Sequence, residues 1–332
     1  MKKTILIIGA GGFIGVNVAL ELAAAGHSLV LVDRALPPQA VRIALGDRPW
    51  VLGDVRDEAF LQSVITTDID CIVWGAALTA DATRDALEPD AILDVNLVGL
   101  ARTLKLARAR RVSQVINLGS VASFGEAAFA GTALHEDDLT DPRGLYALSK
   151  FAGERLCMRF ADLTGQSIFT LRLSAAFGPW ERMTGARDTP SPFMQLMALA
   201  ERGEPARLQR PCFRDWVYAP DVAAAVALLI NRPPSTPHRL FHVSSGARFS
   251  VLDWGLALAA RRTGWQCGLA GSEGLVNVDP QGQRDRADMS IARLAEAASF
   301  QPRFGLAESV AHLDAWARAH PGWFVSQTGT PS

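Results

Sequence analysis

Tyr146 and Lys150 stand four residues apart in the run Tyr146-Ala147-Leu148-Ser149-Lys150. In a helix that spacing puts both side chains on one face, one turn apart. A free tyrosine ionises near pH 10, too high for a base at neutrality, and a neighbouring ammonium lowers that value by favouring the phenolate. The pair is suited to moving a proton on and off an alcohol oxygen. Ser120 offers a third group. It follows the apolar run Gln114-Val115-Ile116-Asn117-Leu118, which reads as a strand, and its hydroxyl can bond the oxygen whose proton Tyr146 takes. In parallel α/β sheets, ligands bind at such strand ends.

A proton relay of this kind needs an acceptor for the hydrogen left on carbon, and the N-terminus supplies a place for one. Gly9-Ala10-Gly11-Gly12-Phe13-Ile14-Gly15 follows the buried-strand pattern Thr4-Ile5-Leu6-Ile7-Ile8 and opens a helical segment, Phe13 to Ala25, that stops at Gly26. Glycines permit a tight turn and a close backbone approach to a pyrophosphate, and the helix N-terminus adds free N–H groups and partial positive charge. A glycine repeat alone serves any tight turn. Here a second strand, Ser28-Leu29-Val30-Leu31-Val32, ends in Asp33, about 20 residues past the glycines, where an acid would accept bonds from an adenosine ribose. The Asp33 carboxylate would repel a 2′-phosphate, with Arg34 partly offsetting it, so the expected cofactor is NAD. Lys150 could then hold the nicotinamide ribose as well.

The elements that must position these groups alternate along the chain. Strands are expected at Trp50–Leu52, 70–74, 114–118, 167–171 and 239–243. Helices are expected near 57–65, 89–108, 145–163 and 221–230. That alternation demands a doubly wound parallel sheet of Rossmann type, seven strands wide and covered on both faces. Residues 174–211 and 246–325 break the pattern, with helices expected near 251–262 and 306–320, and read as a small C-terminal substrate lobe. Residues 1–173 and 212–245 form the cofactor domain, and 326–332 a frayed tail. The 332 residues, 49% hydrophobic, suffice for this, and a formal net charge of −1 gives no electrostatic case for nucleic acid or an acidic membrane. Arg102, Lys105, Arg108, Arg110 and Arg111 read as a solvated face. The four cysteines and six histidines lack metal-ligand spacing, so free thiols and no metal site are expected. No apolar stretch approaches the roughly 20 residues that span a bilayer. A cytoplasmic protein is the expectation.

Together these residues resemble the extended short-chain dehydrogenase/reductase family, in its NAD-dependent epimerase/dehydratase branch, over nearly the whole chain. Gly9, Gly12 and Gly15 match the glycine pattern. Asp54-Val55 matches the adenine contact, Gly75-Ala76-Ala77 the turn after the fourth strand, and Asn96 an asparagine in the following helix. Ser120 with Phe124-Gly125, Tyr146 with Lys150, Leu171-Arg172 through Phe177-Gly178-Pro179, and Arg214-Asp215-Trp216-Val217-Tyr218 match the later motifs. The resemblance implies that Tyr146 is the general acid/base, that Ser120 polarises the substrate oxygen, and that Lys150 lowers the Tyr146 pKa. Phe13, Ile14, Asp33, Arg34 and Asn96 join the implied cofactor contacts. Candidate substrate contacts are Thr79, Ser120, Ala175, Arg182, Arg187 and Arg214. A homodimer through the helices near 90–108 and 145–163 is also implied, with Phe151 and Leu156 as candidate contacts.

Departures from the family pattern narrow the chemistry. Val121 and Ala122 stand where dehydratases carry an acidic pair, so dehydration is disfavoured. Ala175 replaces a substrate-contacting asparagine, Leu173 a proline, and the loop around Gln281-Gly282-Gln283-Arg284 is short for holding a diphosphate. Arg182 and Arg187 could instead clamp a carboxylate. The reading is an NAD-dependent oxidoreductase or epimerase acting on a sugar or sugar-acid hydroxyl. A nucleotide-sugar 4-epimerase is the alternative, and a non-catalytic NAD-binding regulator is the alternative of another class.

Overall fold

The computed structural model describes residues 2–46, 48–131, 133–186, 190–271 and 274–327. Its centre is one seven-stranded sheet: β1 (Thr4–Ile8), β2 (Ser28–Asp33), β3 (Trp50–Leu52), β4 (Cys71–Trp74), β5 (Gln114–Ser120), β6 (Ser167–Leu173) and β7 (Leu240–Val243). The spatial order is β7-β6-β5-β4-β1-β2-β3, and all six pairings are parallel. The chain winds outward from β1 through β2 and β3, then returns to β4 on the other side of β1. The strand order reverses there, and a crevice opens beyond the carboxyl ends of β1 and β4. Ile5, Leu6, Ile7 and Ile8 are wholly buried because helices cover both faces, which is why β1 is a continuous apolar run rather than an alternating one.

Eight helices matter to the argument: α1 (Phe13–Ala24), α2 (Glu58–Val64), α3 (Gly99–Ala109), α4 (Leu145–Thr164), α5 (Pro192–Arg202), α6 (Ala219–Asn231), α7 (Val251–Arg261) and α8 (Leu306–Ala319). α1 and α6 cover one face, and their apolar side chains merge with those of α5, α7 and α8 in a single core. α2, α3 and α4 cover the other. Among the described residues all four cysteines are free. Arg102 and Lys105, on the exposed face of α3, pair with Glu58 of α2.

Three elements differ from expectation. The helix expected over 89–108 is interrupted: Pro89–Leu93 passes into a π-helical turn, Asp94–Val98, before α3. That wider turn faces Asn96 inward, and Gly99 then passes beneath the Trp74 ring, where a Cβ would lie 3.0 Å from it. α5 arises within a stretch that reads as irregular. The Ser191 side chain accepts from the Met194 N–H and Pro192 opens the helix, which is start chemistry visible in the sequence. Trp323–Gln327 forms a short helix where a tail was expected from residue 326, and the rest of that tail lies outside the described residues.

The glycine turn leaves no room for a side chain. A Cβ on Gly15 would lie 2.1 Å from the Gly9 carbonyl oxygen, so α1 seats against the turn only because residue 15 has no side chain. Gly15→Ala should destabilise the protein at or above the upper end of the about 1–3 kcal/mol typical of overpacking. Gly268→Ala, where nothing lies within 4 Å of the new methyl, should be near neutral. Denaturant unfolding of both variants checks the contrast.

Candidate active site

A cleft of about 580 Å³ runs over the carboxyl ends of β1, β2 and β4. Gly9, Gly12, Asp33, Arg34, Asp54, Val55, Gly75, Ala76 and Ala77 all line it. Its floor is backbone. Gly9 has φ +83°, and a Cβ there would fall 2.8 Å from the Ala76 nitrogen, so the turns after β1 and β4 touch main chain to main chain. Asp33 braces the glycine turn: its carboxylate accepts from the Gly11 N–H at 2.8 Å and from the Arg34 N–H at 2.7 Å. Asp54 is bonded by the Arg56 guanidinium at 2.6 Å, which holds its carboxyl below the ordinary value. Phe13 and Gly15 do not line the cleft. They are buried packing residues that seat α1.

Asn96 does not face this cleft either. Its Oδ1 accepts from the Leu78 N–H at 2.7 Å, and its Nδ2 donates to the Leu78 carbonyl and to Ser149 Oγ. Both ends of the amide are engaged. Asn96 therefore fixes the turn that carries Gly75, Ala76 and Ala77 and ties it to α4.

A second cleft, about 390 Å³, adjoins the first where the chain passes from Leu78 to Thr79. Ser120 and Tyr146 meet in it, with Thr79, Ala175, Ile14 and Val121. Ser120 Oγ accepts from the Ala122 N–H at 3.2 Å, which leaves its proton available to a ligand oxygen. Lys150 lies behind, on the same face of α4. Its Nζ donates to the Leu118 carbonyl at 3.0 Å and sits 5.8 Å from the Tyr146 ring centre. Burial pushes the Lys150 ammonium down to about 8, with the Glu154 carboxylate opposing the drop. Sequence reasoning missed Gln281 and Ser174 in this cleft. Gln281 belongs to the short loop that was legible, but only the folded lobe carries that loop to the cleft.

The arginines expected at the substrate separate. Arg182 lies in the first cleft: its guanidinium donates to the Gly11 carbonyl at 2.6 Å, and its Nε is buried with no hydrogen-bond partner. Arg214 lines neither cleft. Its Nη2 donates to the carbonyls of Pro280 and Gln281, its guanidinium lies 5.1 Å from the centre of the Trp216 ring, and its Nε is buried with no hydrogen-bond partner, so it braces the loop beside the second cleft. Arg187 lies outside the described residues. Arg182 is delivered by the segment after Pro179. Trp180 there has φ +66° and is nested at 5.0, 4.9 and 5.2 Å from the rings of Trp316, His320 and Trp323. The Glu181 carboxylate accepts from the Ser191 N–H and Oγ, and Thr79 donates to the Ala186 carbonyl through both its N–H and its Oγ1.

Residues 5–243 match the model of the NAD dependent epimerase/dehydratase family. The chain belongs to that family. It is accordingly an NAD-dependent enzyme, as Asp33 and the glycine turn predict. The chain is 26% identical over 338 residues to the dTDP-4-dehydro-6-deoxy-D-allose reductase of a Streptomyces species, covering 96% of this chain and 97% of that one. It is 24% identical over 269 residues to the UDP-glucose 4-epimerase of Streptomyces lividans, covering 76% and 78%. An epimerase of Methanothermobacter thermautotrophicus shares the fold with a TM-score of 0.81 at 18% identity, covering 98% of this chain and 95% of that one. A UDP-glucose 4-epimerase of Thermotoga maritima, solved with UDP-glucose, gives 0.76 at 19%, covering 96% and 99%.

The first cleft fits the family's cofactor: a side-chain-free cradle at Gly9, an acid at the end of β2, and an arginine with a spare buried donor. Two outcomes follow. Asp33→Ala should raise the NADP-to-NAD affinity ratio relative to wild type, checked by fluorescence titration of both nucleotides. An unchanged ratio would show that Asp33 is not the reader. Lys150→Met removes a buried charge together with its bond to the Leu118 carbonyl, and the pH dependence separates the two. Below about pH 8 the native lysine is charged and its burial is costly. Between about 8 and the ordinary value of 10.5 the native state releases the proton before the unfolded state does, and the cost fades. The stability of wild type relative to the variant, read from melting curves, should therefore rise with pH through that window.

Proposed function

We propose that the protein is an epimerase or oxidoreductase acting at a hydroxyl-bearing ring carbon of a sugar, with sugars carried on a nucleoside diphosphate as the first substrate class. The observation that carries the reading is the meeting of Ser120 and Tyr146 in one cleft that adjoins the dinucleotide cleft, with Lys150 one helical turn behind Tyr146. NAD, when bound, supplies the hydride acceptor and donor. The chain's own residues handle the proton. Tyr146 takes it from the substrate hydroxyl and returns it, Ser120 donates a bond to the same oxygen, and the charged Lys150 favours the phenolate. Gly9, Gly12 and the α1 N-terminus receive the pyrophosphate, and Arg182 neutralises it from the lobe side. Val121 lines the substrate cleft where a dehydratase needs an acid, so no residue there can drive loss of water. The enzymes named among the relatives act on nucleotide-linked sugars, which supports the substrate class. Ala175, with Arg214 Nη2 taken by the loop carbonyls, favours free sugars or sugar acids as the second arm of the test.

The reading includes a homodimer in which Pro89–Leu93, α3 and α4 of two copies pack together. Leu93 and Leu148 are exposed on those elements, whereas Leu156 packs into the core. Sedimentation that gives a monomer at micromolar concentration would remove that part alone. Among the described residues no helix is long and apolar enough to cross a membrane.

A panel of nucleotide sugars, free sugars, and aldonic and uronic acids, scored for NADH and for epimer formation, identifies the reaction. Net NADH marks a dehydrogenase, and epimer without NADH release marks an epimerase. On the active substrate, Tyr146→Phe should lower kcat by about 10²–10⁴-fold with NAD affinity nearly unchanged, and Ser120→Ala should cost less. Retention of more than about a third of wild-type turnover by Tyr146→Phe would overturn the acid–base assignment.

A further inference from the structure

A second buried charge lies one helical turn beyond Lys150, and the proposed proton chemistry does not use it. Glu154 is wholly enclosed. Its carboxylate accepts from Arg172 Nε at 3.0 Å, Arg172 Nη2 at 2.6 Å and Ser123 Oγ at 2.7 Å. Ser123 sits in the 3₁₀ turn, Val121–Phe124, that Ser120 caps, so one carboxylate ties α4 to the turn beside the substrate cleft. Replacing a buried ion pair by apolar residues is often neutral or stabilising, so stability alone gives no reason for this pair. Its position gives one. Tyr146, Lys150 and Glu154 follow at i, i+4 and i+8 on α4, and Lys150 must stay charged in a place where burial favours its neutral form.

We propose that Glu154 is a positioning residue for the acid–base pair: its enclosed carboxylate keeps Lys150 in the ammonium form that Tyr146 requires, and Arg172 holds that carboxylate in place. The inference rests on the assignment of Tyr146 and Lys150 above. The titratable groups facing Lys150 are few. Tyr146, Glu154 and Cys157 share its helix, and the Cys157 thiol is pushed up to about 12 by burial. Arg172 comes from β6, and beyond it His242 on β7, 3.3 Å from Arg172, is pulled down to about 2 by burial and by the Arg172 charge, so it is neutral. Asp85 caps the N-terminus of α4 by accepting from the Leu145 N–H. On the other side the π-turn presents the neutral Asn96, while Asp90 and Asp94 are exposed. Glu154 is therefore the enclosed anion nearest Lys150 along α4.

The chain's composition provides a direct readout that needs no substrate. It has two tyrosines. Tyr218 is buried, hydrogen-bonded to His312 at 2.8 Å, and burial pushes its ionisation well above the ordinary value. Phenolate absorbance near neutral to moderately alkaline pH therefore reports Tyr146. In the NAD-bound protein, Lys150→Met should raise the Tyr146 midpoint. Glu154→Gln keeps size and hydrogen-bonding capacity but removes the charge, and should raise the midpoint by on the order of one pH unit. Loss of Glu154's own repulsion of the phenolate acts in the opposite direction. It acts from about 12 Å along the helix, two turns away, and is the smaller effect. If Lys150→Met raises the midpoint and Glu154→Gln leaves it unchanged or lowers it, the proposal is overturned. If Lys150→Met leaves it unchanged, the Tyr146–Lys150 assignment itself fails, and the proposal with it. Should Glu154→Gln not fold by its melting curve, the double variant Glu154→Gln/Arg172→Met removes both ends of the pair. Its midpoint should still lie above wild type, and equality with wild type overturns the proposal.

Discussion

A dinucleotide's pyrophosphate can reach a helix N-terminus only where no side chain intervenes, and that steric demand shapes the structure from β1 outward. The Gly9 carbonyl lies against the Cα of Gly15, and Gly9 itself lies against the backbone of Gly75 and Ala76. Two strand ends and a helix start thus share one contact made of main chain. Asp33 then serves twice: it braces the Gly11 N–H, and it faces the cleft at the end of β2. Because β1 and β4 are neighbours only where the strand order reverses, the same contact fixes the topology around the crevice.

The lobe is not a separate attachment to this frame. The chain leaves β6, and its next segment carries Trp180 into an aromatic nest built by α8 and the final helix. Two residues on, Arg182 lands on the Gly11 carbonyl. Arg182, from the segment after β6, therefore lines the first cleft, while Tyr146 and Ser120 from the sheet side line the second. Neither cleft belongs to one part of the chain.

What the sequence disclosed follows from the range of the interactions. The glycine turn, Asp33, and the Tyr146–Lys150 spacing are local, and their chemistry is written within a few residues. The seven strands are legible because burial on both faces leaves continuous apolar runs. Arg182 was read as a substrate clamp because its neighbours in sequence form a loop. Its true direction is set by Trp316, His320 and Trp323, more than a hundred residues away. Asn96 was implied as a cofactor contact by its match to the family motif, and the π-turn instead places its amide on Leu78. Arg214 sits beside a cleft it does not line, because the short 280–282 loop comes between. α5 was missed despite its Ser191-Pro192 start, since the Pro- and Gly-rich surroundings masked one helix period.

The chain's near-neutral total hides how charge is arranged inside it. Two sets of enclosed charges lie near the clefts: Glu154 paired with Arg172, one helical turn from Lys150, and Arg286 with Asp215 behind Ser174. Desolvation makes every one of these costly, and each is tolerable only because its partner is fixed by packing. Fixed partners are also what a proton-transfer site requires, since a lysine free to leave for water would no longer act on its neighbour's phenol. Stability and chemistry then draw on the same geometry with opposite signs. On the proposed assignment, the burial that costs Lys150 its hydration is also the burial that strengthens the action of its charge on Tyr146.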